Sequence, residues 1–100
     1  MTFEAFAQAA ALGQEPPGLP PVLRALWLEG AGDWNAAHEL VNDIEPPDGA
    51  RIHAYLHRKE GDLDNARYWY RQAHRRPNDG SLADEWAALA LDFLARDHAL

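Results

Sequence analysis

Gly32-Asp33-Trp34-Asn35-Ala36-Ala37 and Gly61-Asp62-Leu63-Asp64-Asn65-Ala66 are two copies of one phrase, each with apolar residues at helical spacing before and after it. A glycine closes one helix because it takes a left-handed backbone without steric penalty. The aspartate that follows caps the next helix by accepting from its free N–H groups. Two such phrases predict two helical hairpins, a building block that more often binds other proteins than performs chemistry.

Working outward, Pro21 to Glu29 is apolar nearly all round (Val22, Leu23, Ala25, Leu26, Trp27, Leu28), which marks a helix buried on several sides, with Pro21 suited to its first turn. After Asp33, the residues Trp34, Ala37, Leu40, Val41 and Ile44 share one helical face until Pro46-Pro47 stops the run. Asp48 is placed to cap a helix from Gly49 to Glu60. Asp62 is placed to cap another that reaches about Arg76 before Pro77, with Leu63, Ala66, Tyr70 and Ala73 inward. Ser81, with Asp84 three residues on, resembles a capping box and opens a final helix carrying Leu82, Trp86, Leu89, Ala90 and Phe93. At the other end, residues 2 to 12 form a short Ala-rich helix capped by Thr2, and Gln14 to Pro21 holds four prolines and a glycine, too interrupted for helix or interior strand. No segment alternates with period two. The expected fold is all-α, with five to six helices in one domain: an N-terminal helix (1–12), a proline-rich linker (13–21), two hairpins (21–45 and 48–77) and a C-terminal capping helix (81–96).

Composition narrows the chemistry. One hundred residues, 47% hydrophobic, bury a modest core, and the absence of cysteine excludes disulfides, thiolate zinc sites and a cysteine nucleophile. The start of the chain lacks the basic and apolar regions of a secretory signal, and no stretch approaches the roughly 18 apolar residues of a membrane span, so a cytoplasmic protein is expected. The net charge of −7 argues against nucleic acid and anionic membrane as partners. Charge is unevenly spread: between Arg51 and Arg76 seven cations face three carboxylates, a net of +4, whereas the remainder carries −11. Such asymmetry either clamps the protein's own parts together or offers a local basic surface to an acidic ligand.

The second unit, about 48–79, resembles a tetratricopeptide repeat through Ala54, Gly61-Asp62, Ala66, Tyr70, Ala73 and Pro77. The first unit, about 20–47, shares Ala25, Gly32-Asp33 and Ala37 but has Val41 and Ile44 where that family has an aromatic and a small residue. The two glycines are 29 residues apart, shorter than the roughly 34-residue family period. His53 and His57 also stand where the family favours large apolar residues. The resemblance implies antiparallel hairpins stacked as a short right-handed solenoid, and a function in protein–protein interaction without catalysis or cofactor. It also implies that the first helix of a pair lines a groove, so that Arg51, Tyr55, Arg58 and Lys59 would meet an acidic peptide or a partner's tail.

Helical spacing itself places Arg51, Tyr55, Arg58 and Lys59 along one strip of their helix, and Tyr68 projects from the polar side of the next as a further binding candidate. The alternative is that these cations pair with the protein's own surplus acids. His53 and His57, four residues apart, have the spacing by which two imidazoles share a metal, with Glu60 and His74 as further candidates. Both imidazoles would equally serve to fill inter-helix positions. Trp27, Trp34 and Trp86 read as core, while His38 at the border of an apolar face and His98 near the end of the chain support no site. Two further functions remain open from sequence: a self-assembling structural homodimer, and a small metal-binding or hydrolytic protein built on His53 and His57.

Overall fold

The computed structural model describes residues 1–97, which places His98 outside the described residues. The described residues contain six helices and no strand: α1 (Phe3–Ala11), α2 (Pro21–Gly30), α3 (Trp34–Val41), α4 (Asp48–Glu60), α5 (Leu63–Gln72) and α6 (Leu82–Asp97). Their starts follow the capping chemistry of the sequence. Thr2 Oγ1 accepts from the Ala5 amide at 3.1 Å, Asp33 Oδ1 from Ala36 at 3.0 Å, Asp62 Oδ1 from Asn65 at 3.3 Å and Ser81 Oγ from Asp84 at 3.0 Å. Asp48 differs: it lies inside the first turn of α4, not at its cap, and its carboxylate accepts from Arg96 of α6 at 3.0 Å.

The helix ends follow one rule. Helices α1 and α2 are followed, one residue beyond the cap, by Gly13 and Gly32, and α4 is capped by Gly61; each glycine is at positive φ, and its amide and that of the next residue reach back to helix carbonyls as in a Schellman closure. Helix α5 closes the same way without a glycine: His74 takes φ 57°, its amide donates to Arg71 O at 3.0 Å, and the Arg75 amide donates to Tyr70 O at 3.0 Å. That is why α5 stops at Gln72 and not at Arg76, where the sequence pattern carried it. Similarly α3 stops at Val41, and Ile44 closes its turn by donating to Val41 O at 3.0 Å.

Helices α2 and α3 form one antiparallel hairpin, α4 and α5 the second, and α3 joins them by packing on α4. Alanines at 54 and 66 let α4 and α5 approach closely, with Tyr70 and Trp69 filling the remaining space. Helix α6 folds back across α2 and α4, and α1 closes the far side by packing on α2 and α6. The main core lies where these meet, with Phe6, Leu23, Leu26, Ile52, Leu56 and Phe93 fully enclosed. Two glycines mark close approaches: a Cβ on Gly30 would meet the Trp86 ring at 2.9 Å and Ala10 at 3.0 Å, and one on Gly49 would meet the Ile44 carbonyl oxygen at 2.0 Å. Three tryptophans act as cross-links, donating from the indole to backbone carbonyls of other segments: Trp27 to Gln14 at 3.1 Å, Trp34 to Leu56 at 2.9 Å and Trp86 to Leu26 at 3.1 Å. The first of these ties down the start of the proline-rich arm, which Glu15 secures further by pairing with Arg24.

Candidate functional site

The strip on α4 comes together as its spacing requires, and it faces the acids of α2 and α6. Tyr55 is 2% exposed and donates its hydroxyl to Glu29 Oε2 at 3.2 Å, while Lys59 pairs with the other oxygen of the same carboxylate. Arg58 donates to Glu85 Oε1 at 2.9 Å and to the Gly80 carbonyl, and Tyr70 of α5 donates to Glu85 Oε2 at 2.6 Å. Arg51 pairs with Asp92 of α6 at 2.9 Å and lies over the Phe93 ring. Glu29 and Glu85 are themselves buried, so each carboxylate is satisfied by one tyrosine and one cation in place of water. Burial first, then the adjoining carboxylate, pushes the hydroxyls of both Tyr55 and Tyr70 well above the usual tyrosine range. Tyr68 is exposed, as Lys59 is, and stands on α5 against the Trp69 ring.

Beside this network a cleft of about 760 Å³ opens between the turn after α5 and the outer half of α6, bordered by Asp48, Arg51, His74, Arg75, Asp92 and Arg96. A smaller hollow of about 350 Å³ shares Arg51, Arg75 and Asp92 with it and adds Arg76, Tyr70 and Glu85. Within these walls Asp92 is matched by Arg51, Asp48 by Arg96 and Glu85 by Arg58. Arg75 and Arg76 hold no ion pair among the described residues. The result is two guanidinium groups, paired with no carboxylate of the described residues, on the rim of a cleft.

On the opposite face of α4 the two predicted histidines meet a third. His53 and His57 stack in parallel planes, 5.9 Å apart and 3° from coplanar orientation, and His38 from α3 stands edge-on to both at 5.2 Å. Trp69 lies flat under His53 at 4.1 Å, and Trp34 flat against His38 at 4.9 Å. His57 Nδ1 lies 2.6 Å from Glu60 Oε1 and 3.5 Å from the Asn65 amide. His53 is 5% exposed, and its Nδ1 is buried without a hydrogen-bond partner. Burial, reinforced by His38 and His57, holds its imidazole down to about pH 4 in proton affinity, so it is neutral at physiological pH. His74 lies apart, on the basic cleft.

Sequence reasoning passed over Glu29 and Glu85 and set His38 aside as supporting no site. The signals were present. Glu29 is the lone acid of the mostly apolar α2, near its end, and Glu85 sits three residues after Leu82 and four before Leu89 on the buried stripe of α6. His38 lies four residues after Trp34, one turn along the same face, and becomes meaningful only once α3 is laid against α4.

A scan against protein-family models and searches of curated proteins and of solved structures return no match to the chain. Among the described residues no helix is long and apolar enough to cross a membrane.

Proposed function

We propose that this chain is a non-enzymatic helical interaction module of tetratricopeptide-like construction, and that it holds an acidic peptide or a partner's acidic tail in the cleft between the end of α5 and α6. The observation that carries this reading is the pair of guanidinium groups, Arg75 and Arg76, that hold no ion pair among the described residues and stand on the wall of adjoining hollows of about 760 and 350 Å³. Of the strip expected from sequence, Tyr55, Arg58 and Lys59 are paired with internal carboxylates, and Tyr55 and Lys59 line a separate hollow of about 410 Å³, so Arg51 is the member of the strip that borders this cleft. The binding surface therefore moves along from α4 to the turn after α5. Arginine suits it because a guanidinium grips a carboxylate through two parallel hydrogen bonds.

The test is fluorescence anisotropy with a labelled glutamate-rich peptide bearing a free C-terminal carboxylate. Saturable binding that weakens with salt, and at least about tenfold in Arg75→Glu/Arg76→Glu, supports the assignment, since loss of a charge-assisted hydrogen bond costs roughly 1.5–3 kcal/mol. Arg24→Glu, whose arginine lies away from the cleft and pairs with Glu15, leaves the affinity unchanged. Affinity indifferent to the double reversal, or no saturable binding, overturns it.

A further inference from the structure

We propose that His38, His53 and His57 form a binding site for one divalent transition-metal ion of the zinc class. This rests on the face of α4 away from the basic cleft and is independent of any peptide bound there.

One ligating nitrogen from each of the three residues lies within 4.8 Å of the others. A tetrahedral zinc with bonds of 2.0–2.1 Å brings imidazole nitrogens to about 3.3 Å from each other, so the three donors draw together by up to about 1.5 Å when the ion binds. The supporting shell is already in place. Glu60 at His57 Nδ1 is the arrangement in which a carboxylate accepts a hydrogen bond from one ring N–H, fixes the tautomer and leaves the other nitrogen to the metal. Trp69 and Trp34 hold the planes of His53 and His38 by stacking, and Trp34 is itself anchored to the Leu56 carbonyl. The orphaned Nδ1 of His53 is otherwise hard to account for, because a buried polar atom without a partner costs on the order of 1–3 kcal/mol.

Three imidazoles without thiolate or carboxylate in the first shell are borderline ligands, which select zinc, copper, nickel or cobalt over magnesium and calcium. His53 also lines a cavity of about 220 Å³ bounded by Asn42, Glu45 and Trp69, which brings solvent space against one ligand. Three protein ligands leave a fourth position for water or an exchangeable anion.

The experiment titrates the chelator-treated full chain with cobalt(II), followed by zinc(II). The expected result is one equivalent of cobalt bound with the visible absorption of a four-coordinate site, abolished by one equivalent of zinc. The bands disappear in His53→Ala and in His38→Ala, and persist in His74→Ala. His38 is only partly buried, so His38→Ala keeps its helicity by circular dichroism and decides the matter if His53→Ala fails to fold. Glu60→Gln weakens cobalt about 10- to 100-fold, the usual effect of removing an outer-shell carboxylate. Absence of one-to-one binding overturns the proposal. So does wild-type behaviour of His38→Ala, which would put the ion on His57, Glu60 and Asp62, a second set with donors within 4.8 Å.

Discussion

Tyr55 and Tyr70 each give their hydroxyl hydrogen to a buried carboxylate, and this decides how the protein responds to alkali. In the unfolded chain a tyrosine loses its proton near pH 10, whereas in the folded one burial and the adjoining glutamate keep both protonated far higher. The folded state then binds more protons than the unfolded state, so stability is full below about pH 10 and falls as pH rises beyond it. The expected outcome is that, above about pH 11, phenolate absorbance of the native protein lags that of the chain in denaturant by two tyrosines. The lag closes only when helicity collapses. Phenolate appearing for both residues with the helices intact would contradict the hydrogen bonds to Glu29 and Glu85.

At the level of the helix, the end of α5 is the informative exception. Three helices close on a glycine, but His74 holds the left-handed conformation that costs a residue with a Cβ roughly 1–2 kcal/mol. Histidine is among the side chains that tolerate it best, which explains why the turn forms at all. His74→Gly is therefore expected to raise stability by up to about 1 kcal/mol in urea denaturation, part of the gain being lost to the greater freedom of glycine in the unfolded chain. His74→Val lowers it. An unchanged midpoint in both variants would show that the turn carries no strain. The same exception shows what the sequence can convey about an element. Helix starts were legible because Thr2, Asp33, Asp62 and Ser81 are chemically marked, and three ends because glycine is marked. The end of α5 was not, because an apolar face continuing to Ala73 says nothing about the backbone of the next residue.

Across the whole molecule, the all-helical class and the six elements followed from periodicity and capping, but the layout of the charges did not. Helical spacing placed Arg51, Tyr55, Arg58 and Lys59 on one strip, yet whether that strip faces water depends on where α6 folds, and that is fixed by long-range contacts of Trp86, Leu89 and Phe93. Glu85, Tyr70, Arg58 and Gly80 form one polar unit around the buried Glu85 carboxylate, joining three helices and the turn before α6. Glu85→Ala leaves Arg58 and Tyr70 without their acceptor, and the expected loss is about 3–5 kcal/mol in chemical denaturation, the usual cost of breaking a buried pair on one side. Pairing Glu85→Leu with Arg58→Met recovers most of it, because no charge is then stranded. If the single substitution costs less than about 1 kcal/mol, the carboxylate is not the joint described. The basic cleft and the histidine cluster were similarly hidden, since each is assembled by residues from separate helices whose meeting only the fold decides.

The four indoles, finally, make the protein its own optical map. Trp27 reports whether the proline-rich arm is docked, Trp34 whether α3 and α4 remain joined, Trp86 whether α1, α2 and α6 are closed, and Trp69 what happens at the His53 ring. A series of variants each retaining one indole would let emission spectra follow those four joints separately, in a chain that needs no attached dye.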